Sequence, residues 1–191
     1  MMPKPRPAVF LDRDGVINRS VVLDGKPYPA RSLAEFELFP GTVEACELLQ
    51  KMGPLIIVTN QPDVGRGTLG RDIVESIHTE MCRVLPISRV EVCYEDGRQT
   101  GSQFYKPAPG MLRRAADALN LDLSRSVLFG DRWRDIDCGR AAGCLTIWID
   151  RGYSESLRCA PDHIVSSLPE AAQLLQRLGK IPKKASHEQS L

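Results

Sequence analysis

Short, wholly apolar runs that each break off at polar or charged residues, with amphipathic stretches between them, constrain the fold of this chain most. The first, Ala8-Val9-Phe10-Leu11, stops at Asp12-Arg13-Asp14-Gly15, and similar runs occupy 55–59, 90–94, 126–129 and 145–149, with a weaker one at Ile164-Val165. A run without polar alternation reads as a strand covered on both faces. Between the runs, 42–52, 71–84, 108–119 and 133–142 carry apolar residues at three- and four-residue spacing, and Gly53 and Gly143 read as helix stops. Strands alternating with helices predict an α/β fold, a three-layer, doubly wound, Rossmann-like parallel sheet.

At 191 residues the chain suits one domain. We read 1–7 as an N-terminal extension, 8–179 as the domain and the polar 180–191 as a mobile tail. The loop over 12–40 is long enough for function and too short for a separate cap domain. With 25 Lys and Arg against 24 Asp and Glu, the net charge of +1 gives no electrostatic support to a nucleic-acid groove or a membrane patch. No apolar run approaches the ~20 residues of a membrane span, and the run after Lys4 and Arg6 is too short for a secretory signal. The expectation is a cytoplasmic monomer. The six cysteines lack C-x-x-C spacing and read as free thiols.

In a parallel sheet the ligand crevice opens beyond the carboxyl ends of the strands. Asp12 and Asp14 stand at the end of the first strand, Thr59-Asn60-Gln61 at the second, Lys106 after the third, and Gly130-Asp131 with Asp135 after the fourth. Carboxylates gathered at one sheet edge resist joint ionisation, and a hard cation such as Mg²⁺ resolves the conflict, with substrate phosphate completing its shell and Lys106 serving the same phosphate. Asp-x-Asp-Gly alone reads as a turn or a calcium-loop fragment, but Val16 and Ile17 stand where an EF-hand needs an oxygen ligand and a glycine. Gly65-Arg66-Gly67-Thr68-Leu69-Gly70 matches G-x-G-x-x-G, which supplies a rival reading as a nucleotide-binding module. That fingerprint belongs on the strand-to-helix turn, whereas 60–64 separate it from the strand here. It reads instead as a turn with Thr68 as a candidate cap. The three histidines are isolated and make no metal site.

Phe10-Leu11-Asp12-Arg13-Asp14-Gly15-Val16-Ile17-Asn18, Val58-Thr59-Asn60-Gln61, Lys106-Pro107-Ala108-Pro109-Gly110-Met111 and Gly130-Asp131-Arg132-Trp133-Arg134-Asp135 match, in order, the four motifs of the haloacid dehalogenase (HAD) superfamily. The chain most resembles its capless subgroup of heptose bisphosphate and histidinol-phosphate phosphatases, over about residues 8 to 150. The resemblance implies a HAD-like fold without a cap domain and a Mg²⁺-dependent phosphomonoesterase acting on a small phosphorylated metabolite. A heptose 1,7-bisphosphate is the first choice, and histidinol phosphate or another sugar phosphate the alternative. It implies Asp12 as nucleophile, Asp14 as acid and base, and Thr59 and Lys106 on the phosphoryl oxygens. Asp12, Asp14, Asp131 and Asp135 are implied around the metal, and Asn18, Asn60, Gln61, Arg66, Tyr105 and Arg132 at the substrate. Two departures stand out. The subgroup's Cys-x-His and Cys-x-Cys zinc loop is missing after Cys93, so no structural zinc is expected, and Tyr105 replaces the usual arginine. A noncatalytic module on the same fold is the remaining rival.

Overall fold

A computed structural model of the chain describes residues 3–23, 26–98 and 101–181. In chain order its elements are β1 (Val9–Leu11), β2 (Val21–Leu23), β3 (Lys26–Tyr28), α1 (Thr42–Leu49), β4 (Leu55–Asn60), α2 (Pro62–Gly65), α3 (Arg71–Val84), β5 (Ile87–Cys93), α4 (Gly110–Leu119), β6 (Val127–Gly130), α5 (Trp133–Ala142), β7 (Leu145–Ile149), β8 (His163–Val165) and α6 (Leu168–Arg177). Six strands form one sheet in the order β5-β4-β1-β6-β7-β8, and every neighbouring pair is parallel. β1 is central, with Phe10 opposite Ile56 on one side and Leu128 on the other. The chain winds outward from β1 in one direction and then in the other, which opens a crevice at its carboxyl end.

Both faces of the sheet are covered. Val9 and Leu11 pack with Ala45 and Leu49 of α1, Met81 of α3, and Ala171 and Leu175 of α6. Phe10, Ile56 and Leu128 pack on the opposite face with Met111 and Leu112 of α4 and Cys138 of α5. Burial on both faces is why these strands read as unbroken apolar runs. The expected three-layer α/β architecture is therefore present. The long loop after β1 carries the antiparallel hairpin β2–β3, with Val21 opposite Tyr28, and one turn of 3-10 helix at Leu33–Glu35.

Several boundaries differ from the sequence reading. β5 starts at Ile87 rather than 90, because as an edge strand it alternates with Ser88, Arg89 and Glu91 and breaks the apolar run. α1 ends at Leu49 and α4 starts at Gly110, while α6 went unread. Thr68 is not a helix cap: Gly70 holds that position for α3, and the Thr68 hydroxyl donates to Asp63 O. All six cysteines are free, with Cys46, Cys93, Cys138 and Cys144 buried. Within the 1–7 extension, Arg6 exchanges backbone hydrogen bonds with Asn120 and Asp122. Of the tail, Lys180 and Ile181 are described and Ile181 is buried in the core; 182–191 lie outside the described residues. Among the described residues no helix is long and apolar enough to cross a membrane.

Candidate active site

The crevice brings the strand-end residues together. Asp12 follows directly from β1, its N–H donating to Phe129 O at 3.0 Å. The chain then turns tightly around Arg13 O, which accepts from the N–H groups of Val16, Ile17 and Asn18. Gly15 makes this turn possible. Its φ of +88° is one that L side chains rarely adopt, and a Cβ there would run into the Asp131 carboxylate.

Lys106 is the electrostatic centre. Its Nζ, in a side chain only 3% exposed, donates to Asp12 Oδ1 at 2.8 Å, Val58 O at 2.7 Å and Asp135 Oδ1 at 2.5 Å. Asn60 fixes the Lys106 backbone from β4, accepting from its N–H at 3.0 Å and donating to its carbonyl at 3.2 Å. Burial alone would lower the Lys106 pKa, but Asp12 and Asp135 outweigh it and hold the ammonium above its usual value. Asp135 has a second contact, accepting from Arg132 N at 3.0 Å through Oδ2.

Asp131 is fully buried, and among the described residues neither carboxylate oxygen has a hydrogen-bond partner. Ligand oxygens from Asp12, Asp131 and Asp135 lie within 4.8 Å of one another. Burial, and then the neighbouring carboxylates, push Asp131 well above its usual pKa. Burial likewise pushes Asp12 up to about 6 against the pull of Lys106. Two unpartnered buried oxygens in an all-carboxylate set fit a hard divalent cation with oxygen ligands, and such a charge would reverse both shifts.

Asp14 is treated differently. Its Oδ2 accepts from Arg13 Nη2 at 2.8 Å, Arg13 Nε at 3.1 Å and Gln61 Nε2 at 2.9 Å, and its Oδ1 accepts from Asn18 Nδ2 at 3.0 Å. Burial works to raise its pKa, but Arg13, Asn18 and Gln61 together hold it below the usual carboxylate range. Asn18 and Gln61, expected at the substrate, are fully buried and absent from the cleft lining. They position Asp14 instead, and Gln61 Nε2 also donates to Thr59 Oγ1 at 2.9 Å.

A cleft of about 530 Å³ stands over this floor, lined by Asp12, Asp14, Thr59, Lys106 and Asp131, with Tyr28 of the hairpin and Tyr105 also among its lining residues. Three arginines line it as well. Arg66 is held by Asp63 at 3.1 Å and Asp96 at 3.2 Å, and Arg132 by Glu155 at 2.8 Å. Arg134 stacks on Trp133 at 4.7 Å, and among the described residues no carboxylate pairs with it. Arg66, expected at the substrate, thus lines the cleft with its charge already paired.

Sequence reasoning missed Arg13, His78 and Glu155. Arg13 lies inside the Asp-Arg-Asp-Gly motif, yet nothing local indicates that its guanidinium is wholly buried. His78 and Glu155 are brought to their partners by contacts 65 and 23 residues apart in the chain.

Comparison with known proteins agrees with this geometry. Residues 104–171 match the HAD-hydrolase-like family. A Thermosynechococcus vestitus protein named D-glycero-D-manno-heptose-1,7-bisphosphate 7-phosphatase is 34% identical over 192 residues, covering 88% of this chain and 95% of that one. An Escherichia coli K12 protein named D-glycero-beta-D-manno-heptose-1,7-bisphosphate 7-phosphatase is 29% identical, covering 94% of this chain and 98% of that one. Among solved structures, a D,D-heptose 1,7-bisphosphate phosphatase from B. bronchiseptica, complexed with magnesium and phosphate, superposes with a TM-score of 0.72 at 26% identity. That match covers 90% of this chain and 99% of the other.

Proposed function

We propose, because the chain belongs to the HAD-like phosphatases and is a phosphoric monoester hydrolase, that it removes the C7 phosphate of a D-glycero-D-manno-heptose 1,7-bisphosphate through an aspartyl-phosphate at Asp12, with Mg²⁺ as cofactor. The observation that carries the reading is a cleft with two separate places for negative charge. One is the floor of Lys106 with Asp12, Asp131 and Asp135; the other is Arg134 at the wall, with no carboxylate of its own among the described residues. A bisphosphate fills both. The names of the relatives support the heptose. Every group the reaction needs comes from one chain, and the proposal takes the enzyme as a cytoplasmic monomer.

In the first step an Asp12 oxygen attacks phosphorus in line with the C7 oxygen. The bond from phosphorus to that oxygen breaks, and the leaving alkoxide takes a proton from Asp14. The phosphate dianion arriving beside Asp14 favours its protonated form, against the pull of Arg13. In the second step Asp14 takes the proton of a water that attacks phosphorus, and Asp12 is released as the carboxylate. Lys106 balances the phosphoryl charge throughout, held in place by Asp135 and Val58 O. Mg²⁺, held by the Asp12 and Asp131 carboxylates and the Asp14 carbonyl with Asp135 close by, would neutralise phosphoryl oxygens.

The test is kcat/KM on the heptose bisphosphate, histidinol phosphate and hexose phosphates, with and without divalent ions. The bisphosphate should lead, chelation should abolish turnover and Mg²⁺ should restore it. Full activity in chelator contradicts the cofactor, and a preference for histidinol phosphate overturns the substrate.

Arg134→Ala should lower kcat/KM on the bisphosphate by about 10- to 150-fold, the equivalent of one charge-assisted contact of roughly 1.5–3 kcal/mol. A monophosphate lacking the distal group should lose far less. Equal losses on the two substrates would place Arg134 at the reacting phosphate or in folding.

A further inference from the structure

Arg13 is the largest fully buried side chain among the described residues, and a guanidinium without solvent must find all its partners inside the protein. Its Nε and Nη2 are spent on Asp14. Its Nη1 meets His78 Nε2 at 3.2 Å. His78, on α3, is itself buried and contacts Glu75 Oε2 through Nδ1 at 3.4 Å. Glu75 in turn accepts from the Tyr94 hydroxyl at 2.6 Å. Facing a guanidinium that can only donate, His78 Nε2 must accept, which puts the ring proton on Nδ1 toward Glu75. Burial and the Arg13 charge both favour the neutral ring that this arrangement needs.

We propose that His78 is a positioning residue for the acid and base of the reaction, fixing through its contact with Arg13 the guanidinium fork that sets where the Asp14 carboxylate stands. The geometry favours this over a packing role alone. A histidine that merely fills space has no need of its lone pair aimed at a guanidinium, and Asp14 takes two of its four donors from that fork. Without the Nη1 acceptor, Arg13 must seek another partner and its fork turns off Asp14. The inference rests on the role of Asp14 in the proposed reaction.

Leaving-group dependence is the readout, because packing damage does not distinguish good leaving groups from poor ones. A sugar phosphate with a primary alkoxide leaving group needs the proton from Asp14, whereas p-nitrophenyl phosphate departs without it. In His78→Leu, kcat/KM on the sugar phosphate should fall about 10-fold or more, part of the 10²–10⁴ that a general acid contributes. On p-nitrophenyl phosphate it should fall less than about 3-fold on the same scale. His78→Gln can accept from Arg13 and donate to Glu75, and should recover most of the loss. Arg13→Lys keeps the buried charge without the fork and should show the same selective loss, so it decides the matter if His78→Leu does not fold. Equal losses on both substrates, or no recovery in His78→Gln, overturns the proposal. Asp14→Asn is the control: a selective loss there with none in the His78 and Arg13 variants rejects this inference alone, whereas equal losses in Asp14→Asn reject the role of Asp14 and the inference with it.

Discussion

Asp12→Asn should yield a folded protein whose kcat is lower by about 10⁴- to 10⁶-fold, the scale seen when a nucleophile is removed from an otherwise intact site. The amide keeps the shape of the side chain and loses the negative oxygen that attacks phosphorus. Stability should survive the change. Burial already favours the uncharged form of Asp12, with its pKa pushed up to about 6, and Lys106 keeps Asp135 and Val58 O as partners. A Tm within the roughly 2–4 °C that corresponds to 1 kcal/mol in a chain of this size is therefore expected. Phosphatase activity within tenfold of wild type in the purified variant would mean that another group attacks phosphorus.

Lys106→Met should act on the fold as strongly as on the reaction. The substitution leaves Asp12 and Asp135 buried without their shared cation and beside Asp131, which has no hydrogen-bond partner among the described residues. Breaking a buried ion pair from one side costs about 3–5 kcal/mol, a fall in Tm of about 6–20 °C. Mg²⁺ should return part of that loss, because a cation among the same oxygens replaces the missing positive charge, and adding Asp135→Asn should return part by removing one of the stranded carboxylates. Thermal unfolding with and without Mg²⁺ measures both. A Tm drop under about 2 °C would show that these carboxylates are screened by solvent.

Much of the architecture was legible because the central strands are buried twice over. β1, β4, β6 and β7 lie in a sheet covered on both faces, so they read as largely apolar runs without strict alternation, Thr146 in β7 being a buried exception. The end positions of β1, β4 and β6 also line the cleft, which is why Asp12, Thr59 and Asp131 could be placed at one edge from the order of residues alone. Elements that bury less left weaker traces. The hairpin β2–β3 has strands of three residues each, too short for a period to register. α6 buries Leu168, Ala171, Ala172 and Leu175, a helical spacing in which alanines mute the signal. Its start was nonetheless marked by Ser167, whose hydroxyl accepts from the Glu170 N–H at 3.3 Å.

Within the site, sequence motifs identified residues that meet at the strand ends and missed those that act through long-range packing. Asn18 and Gln61, each the last residue of a matched motif, were expected at the substrate from the resemblance, and in the fold both donate to Asp14. Arg66 was expected at the substrate; it lines the cleft but is paired with Asp63 and Asp96, whereas Arg134 has no carboxylate partner among the described residues. No motif registers such a competition, since Asp96 is 30 residues from Arg66 in the chain.

The covalent intermediate is the step on which the proposed reaction turns, and trapping it is the most direct test. Wild-type enzyme mixed with Mg²⁺ and substrate, quenched in acid within a turnover and reduced with borohydride, should carry homoserine at position 12 when the digested protein is read by mass spectrometry. Asp12→Asn treated in the same way should show no modification. Wild-type turnover with position 12 unmodified, or with the reduction product at another carboxylate, would contradict the assignment of Asp12 as the group that takes the phosphoryl.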